Sequence, residues 1–242
     1  FSEYSQKDRL KTISNFSGSA GYAIILKNKN FLFVDGRYTI QANIESGKYF
    51  KIEKLEKILN CKLFKGLTLG IDPKIFTQGQ VKKFFLKYNK IKIINANLID
   101  NIFSKYKINS KPFFSLEHKI TGESYKKKIT KISKILKKHK SDYLFVTAPE
   151  NVAWLLNIRG YDNPNSPIPN CRLILTKNKK IFLISEKFKV IKLISEKKIR
   201  KNEILEIENF ERLIDKLKSG KITIDNKTCS IYFNKVLQKK FK

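Results

Sequence analysis

Methionine is absent from all 242 residues, position 1 included, which predicts a piece of a longer translated chain. Cysteine is scarce. Cys61, Cys171 and Cys229 are odd in number and far apart, a pattern that excludes a disulfide scaffold and points to a reducing compartment. No CxxC or HxxxH spacing is present, so a zinc site has no ligand pattern to rest on. The two histidines, His118 and His139, lack partners at ligand spacing and read as solvated surface residues. No apolar run reaches the ~18–20 residues of a membrane span, and no signal-peptide pattern opens the chain. A Gly-x-Ser-x-Gly elbow is missing, and the carboxylates form no decisive pair. No complete active site is legible in these residues alone.

Acidic residues are also few, 21 against 51 basic ones, for a formal net charge of +30. Such a charge suggests nucleic acid. The excess is nearly all lysine, however, spread through the chain alongside many Ile, Asn, Phe and Tyr residues whose codons are AT-rich. Readers of nucleic acid lean on arginine for bidentate contacts, and this chain has six arginines among its 51 basic residues. Genome composition accounts for the bias, and no specific nucleic-acid partner is expected. Hydrophobic residues at 41% and aromatics at 12% suffice for buried cores.

The chain repeats itself. "YAIILKNKNFLFVD" (22–35) and "CRLILTKNKKIFLIS" (171–185) each read as two β-type runs around a Lys-Asn-Lys turn, the pattern of a hairpin. "LTLGIDPKIFTQGQVKKFF" (67–85) is echoed by "KITIDNKTCSIYFNKVLQKKF" (221–241), each a short strand ending in Ile-Asp, a polar turn and a helix-period segment. Both pairs are offset by about 150 residues, which indicates a duplicated domain. In the second copy an amphipathic helix over 122–140, with Ile129, Ile132, Ile135 and Leu136 on its apolar stripe, precedes a buried strand, "DYLFVTA". A helix then starts at Pro149, where the first turn tolerates proline. The order predicts an α/β fold, two tandem domains each with a mixed sheet flanked by helices. The boundary falls near Pro112, giving domains over 1–112 and 113–242. By the offset, the first copy lacks its opening helix and strand, so sequence is expected to precede Phe1.

Two stretches are over-specified for folding. "FVDGRYTIQA" (33–42) sets Arg37, one of the few arginines, at a strand-to-helix corner, and "VAWLLNIRGYDNPNSPIP" (152–169) holds the only Trp and Arg159. Asp35 is placed to cap the helix after the corner and Tyr38 to pack beneath it. The plain structural reading makes Trp154 a core anchor and Arg159 a cap on a helix end. "SGSAG" (17–21) precedes a strand rather than a helix, so it offers phosphate no helix N-terminus. Small residues and positive φ are expected there.

At these stretches the sequence resembles the three-domain Xaa-Pro aminopeptidases, the aminopeptidase P family. "ISNFSGSAGYAIILKNKNFLFVDGRYTIQA" (13–42) and "APENVAWLLNIRGYDNPNSPI" (148–168) carry the resemblance, with "LGIDP" (69–73) and "GESYKKKI" (122–129) in order. It implies two creatinase/prolidase N-terminal-type domains, related to the ribonuclease H-like motif. It also implies a third, catalytic domain that would be this chain's partner. That domain holds two divalent metal ions, usually manganese, whose ligand set has no match in 1–242, so no cofactor and no catalytic residue is expected here. The implied substrate is a peptide with proline in second position, contacted from the first domain by Arg37; a permanently charged, bidentate guanidinium suits a carbonyl or carboxylate, and lysine lacks that fork. Asp35 and Tyr38 enter as supporting residues, and Trp154, Asn157, Arg159 and Asp162 as supporting or interdomain ones. The resemblance further implies a cytoplasmic enzyme, with any homodimer resting on the catalytic domain. The alternative is a stand-alone binding or scaffolding protein that kept the two-domain fold without the enzyme domain. Asn15, Ser166 and Cys171-Arg172 depart from the family pattern.

Overall fold

The computed structural model describes residues 8–60, 64–102, 111–163 and 166–241. Cys61, Pro164 and Asn165 lie outside the described residues. The chain divides into two compact units, Phe1–Lys107 and Ile108–Lys242. Among the described residues, no helix is long and apolar enough to cross a membrane.

In unit 1, helix α1 (Arg9–Ser14) leads to the hairpin β1 (Gly21–Ile25) and β2 (Asn30–Val34), then α2 (Thr39–Ser46) and β3 (Lys51–Lys54). β1 and β2 pair antiparallel and β2 and β3 parallel, so this three-stranded sheet is mixed. After it come β4 (Thr68–Ile71), α3 (Gln78–Phe84), β5 (Lys90–Ile93) and α4 (Leu98–Ile102), with β4 and β5 forming a separate parallel pair. β2 sends side chains to both sides, and both are buried. Phe31 and Phe33 pack with Ile24, Ile58, Phe64 and Phe85, whereas Leu32 and Val34 pack with Leu10, Phe16, Ala42 and Phe50. Alternation along a strand makes two cores from one segment. Arg9 closes the end of this unit with a bidentate pair to Asp100, both contacts at 2.8 Å.

Unit 2 contains β6 (Phe114–Ser115), α5 (His118–Thr121), α6 (Tyr125–Lys138), β7 (Tyr143–Val146), α7 (Pro149–Leu156) and β8 (Ile158–Arg159). The hairpin β9 (Arg172–Thr176) and β10 (Ile181–Ile184) follows, then α8 (Ile191–Ser195), β11 (Ile204–Leu205), α9 (Phe210–Lys216), β12 (Ile222–Ile224) and α10 (Ile231–Gln238). The sheet order is β11-β10-β9-β7-β12, parallel at both ends and antiparallel in the middle. β6 and β8 make a small antiparallel pair of their own. Leu173, Leu175 and Leu183 face α6, α7 and α8, and Phe145, Ile174 and Ile184 face α9 and α10. The sheet is covered on both sides, as near-continuous apolar strands require.

The repeat seen in sequence is a repeat of local structure. After β4, Asp72 accepts the amide of Lys74 at 2.8 Å and Thr77 caps α3; after β12, Asp225 accepts the amide of Lys227 at 2.9 Å and Ser230 caps α10. Two expectations need correction. Ile135 is half exposed, since the buried stripe of α6 runs through Lys128, Ile129, Ser133 and Leu136. In "SGSAG" neither Gly18 nor Gly21 has positive φ; a Cβ at Gly18 would strike the ring of the buried Phe16, and one at Gly21 would crowd Leu10 and the carbonyl of Phe33. Space, not backbone twist, calls for glycine there. His118 and His139 are exposed.

Phe145 sits at the centre of one core of unit 2, with the rings of Phe210 and Phe233 both 5.3 Å away. Phe145→Ala is expected to cost unit 2 about 3–5 kcal/mol in urea unfolding. Ile40→Ala, at a site 76% exposed, should stay within about 0.5 kcal/mol of the parent.

Candidate functional site

The corner after β2 is built from short-range bonds. Asp35 ends the strand and its Oδ1 accepts the backbone amide of Arg37 at 3.0 Å, capping a single 3-10 turn over Gly36–Tyr38 that runs into α2. The same Oδ1 takes the Arg37 Nε at 2.8 Å. The guanidinium beside Asp35 holds its carboxyl below the usual carboxylate range. Arg37 is 78% exposed, and its two Nη groups have no protein partner among the described residues. One edge of the guanidinium is therefore tied down and the fork is left toward solvent.

Tyr38 lies partly buried against the core that holds Phe16, with its ring edge-on to that of Phe16 at 5.9 Å. Its hydroxyl meets the Ser19 Oγ at 3.0 Å. Glu45 on α2 accepts the Ser17 amide and hydroxyl, both at 2.7 Å, and the Gln41 amide at 3.0 Å. Those donors, the Ser17 amide first, pull its carboxyl below the ordinary range. Ser17, Ser19, Gln41 and Glu45 thus lash the small-residue loop to the corner. Sequence reasoning missed all four, although Gln41 and Glu45 stand at the i, i+4 spacing of helix neighbours.

The second stretch lies in unit 2. Helix α7 ends at Asn157 in the left-handed region, φ 51° and ψ 50°. The Asn157 Oδ1 accepts from Lys128 Nζ at 2.7 Å, and its Nδ2 donates to Thr121 Oγ1 and the Glu123 carbonyl. Three cations serve the carbonyls of this helix end: Lys128 to Trp154, Arg159 to Ala153 and Ile158, and Lys198 to Leu156 and Asn157. Cations are stabilised where helix carbonyls point outward. Trp154 is not a core anchor, because it is 54% exposed. The buried face of α7 runs through Val152, Ala153, Leu155 and Leu156, leaving Trp154 outside with the Lys128 ammonium 4.5 Å from its ring centre.

Asp162 anchors the loop beyond. Its Oδ1 pairs with Lys189 Nζ at 3.0 Å, both side chains 2% exposed, and its Oδ2 accepts the Asn170 amide at 2.6 Å. Gly160 is required beside it, since a Cβ would come within 2.8 Å of the Pro169 backbone. Lys189 was invisible in a sequence so full of lysine. Among the described residues, no three His, Cys, Asp or Glu side chains come together in a way that could hold a metal ion. Burial pushes the thiols of Cys171 and Cys229 up, so neither is a ready thiolate.

Residues 104–242 match the creatinase/prolidase N-terminal domain. The chain belongs to that family. The chain is 31% identical over 194 residues to a protein of Coprinopsis cinerea named probable Xaa-Pro aminopeptidase P, across 74% of this chain and 31% of that one. A Laccaria bicolor protein of the same name is 34% identical over 187 residues, covering 71% and 29%. Xaa-Pro aminopeptidase 1 of Dictyostelium discoideum is 31% identical over 199 residues, covering 74% and 32%. The chain thus spans about a third of the length of these relatives. Among solved structures, X-prolyl aminopeptidase from Caenorhabditis elegans, described as a cytosolic enzyme with a di-nuclear active site, matches with a TM-score of 0.83. That match covers 100% of this chain and 43% of the other at 22% identity, and it shows a shared fold. The α/β architecture is accordingly that of the creatinase N-terminal fold.

The lysines at the end of α7 make a pH prediction. Burial pulls the Lys198 ammonium down to about 8 from 10.5. Between those values the unfolded chain holds a proton that the folded chain has released, so stability from this group rises with pH across that window. Chemical unfolding at pH 7.5 and 9.5 should therefore show a gain that Lys198→Gln lacks.

Proposed function

We propose that residues 1–242 form the non-catalytic N-terminal part of a dinuclear-metal Xaa-Pro aminopeptidase, and that Arg37 contacts the peptide substrate. The observation that carries the substrate contact is the Arg37 fork, with neither Nη partnered among the described residues while Asp35 fixes Nε at 2.8 Å. A guanidinium held in this way offers two parallel donors to a carbonyl or carboxylate with little orientational freedom left to lose. The names of the relatives support the Xaa-Pro specificity. The metals, manganese in this reading, belong to the catalytic domain, and the donor set of the described residues does not fit a two-metal centre. The partners are then the catalytic domain of the same protein and a peptide with proline second, in the cytoplasm, and any homodimer forms through the catalytic domain. Trp154, Asn157, Arg159 and Asp162 are supporting or interdomain residues.

Two measurements test the reading. Purified 1–242, given manganese and an Xaa-Pro peptide, should release no N-terminal residue; release would overturn the non-catalytic assignment. In the protein joined to its catalytic domain, Arg37→Lys should lower kcat/KM about tenfold or more, the worth of a charge-assisted hydrogen bond. Unchanged turnover would show that Arg37 does not hold the substrate.

A further inference from the structure

Arg9, Arg37 and Arg159 each donate to an oxygen of the chain. Arg172 donates to none among the described residues, and its Nε is closed off from solvent without an acceptor. The ring centre of Phe233 stands 4.9 Å from its Cζ. Burial pulls the guanidinium below its ordinary value, yet arginine stays charged in proteins. The thiols beside it supply no counter-charge. Burial pushes that of Cys229 up to about 11 and raises that of Cys171 as well, so both are neutral at physiological pH. A cation shut away from water without an acceptor opposes folding. The place calls for an anion that the described residues do not supply.

Arg172 opens β9 on the edge where the other four strands of the sheet end. It stands opposite Ile184, the last residue of β10, and its neighbour Leu173 stands opposite Val146, the last of β7. β11 runs parallel to β10 and β12 to β7, so both end on that edge too. In α/β sheets ligands sit there, outside the carboxyl ends of the strands. Arg172 is two places from Ile174, so its side chain leaves the sheet on the side of α9 and α10. Helix α10, eight residues long, begins at this edge with Phe233 in its first turn, and the amides at a helix start attract anions. Asp225, the acid that follows β12, is already bonded: it accepts the Lys227 amide at 2.9 Å and the Thr228 hydroxyl at 3.2 Å. The Thr147 and Thr228 hydroxyls, 2.7 Å apart, add polar groups to the same edge.

We propose that Arg172 binds a small oxyanion, inorganic phosphate or a simple carboxylate, at the C-terminal edge of the unit 2 sheet. With Nε closed off, the two Nη groups are the donors, meeting two oxygens of the anion end-on. The Phe233 ring holds the guanidinium in place. Lysine does not substitute here, because an ammonium has no parallel pair of donors. Arg172 belongs to the Cys171-Arg172 pair that departs from the Xaa-Pro aminopeptidase pattern, and nothing in this assignment rests on the enzymatic reading.

The test is thermal unfolding of the 242-residue chain at fixed ionic strength, with chloride exchanged stepwise for phosphate or for acetate. An anion that binds the folded state raises Tm with its concentration, by about 3 °C or more at tenfold its Kd. Lys235→Met, at an exposed position on α10, removes the same charge and should keep that rise. Arg172→Met should lose it. If Arg172→Met does not fold, the Arg172 Nε–Hε resonance gives a second readout: the chain has six arginines, and the signal missing from Arg172→Lys is the one from Arg172. In the parent it should shift saturably with the anion. A response to phosphate alone makes the occupant a phosphate, and a response to acetate alone makes it a carboxylate. If Tm rises equally in the parent and Arg172→Met, or the Nε–Hε signal does not move, the effect is that of an adventitious ion only and the site does not exist.

Discussion

Each unit depends on a strand that cannot meet water on either side. Leu32, Phe33 and Val34 in the first, and Leu173, Ile174 and Leu175 in the second, are all fully buried. A strand of this kind forces helices onto both faces of its sheet, because every second side chain points the opposite way. In unit 2 the constraint is met by α6, α7 and α8 on one side and α9 and α10 on the other. In unit 1, α1 and α2 cover one side and the aromatic cluster around Phe64 and Phe85 covers the other. Helix positions follow from strand chemistry, and the loops at helix ends inherit theirs.

Those loops show where arginine and lysine are put to different uses. At the end of α7 the acceptors are single carbonyls, served by Lys128 and Lys198 as well as Arg159, with burial drawing both lysines below the ordinary lysine range. At the Asp100 carboxylate two oxygens are offered, and Arg9 answers with two 2.8 Å contacts. In a chain where lysine is the default, arginine at such a place reflects the geometry of its fork. Arg172 adds a third use, its guanidinium 4.9 Å from the Phe233 ring centre in a largely apolar setting.

Much of the fold was legible in the residues. Both hairpins, the start of α7 at Pro149 and the duplicated Ile-Asp turns could be read because each rests on local chemistry: alternation, turn residues, caps. What could not be read was set by tertiary position. Trp154 invites assignment to a core by its type, yet the apolar neighbours at 152, 153, 155 and 156 take the inner face of α7 and leave it outside. Ile135 shares that fate on α6. Lys189 looks like any other lysine, and only the fold brings it to Asp162. At the corner, Asp35 and Arg37 are two apart and could be linked from sequence, while the Ser17–Glu45 clamp spans 28 positions and could not.

The duplication gives that corner a natural comparison. Arg37 follows β2 in unit 1, and the corresponding 3-10 segment Lys187–Val190 follows β10 in unit 2. In unit 2 the residue that matches Arg37 in the repeat, Lys187, is also exposed and pairs with Glu206 at 3.0 Å, while Lys189 two places on is 2% exposed and held by Asp162 and Glu186. Breaking a buried pair of that kind costs about 3–5 kcal/mol, so the second copy has tied its corner to the stability of the domain. In unit 1 the charge points outward at 78% exposure, paired with Asp35 two places before it and 5.7 Å from the Tyr38 ring centre. An exposed pair of this sort contributes little to folding, whereas the platform beneath it is bonded at several points. The Ser17–Gln41–Glu45 clamp and the Ser19–Tyr38 contact stiffen that corner, and a stiff base lowers the ordering cost of any bond its side chains make.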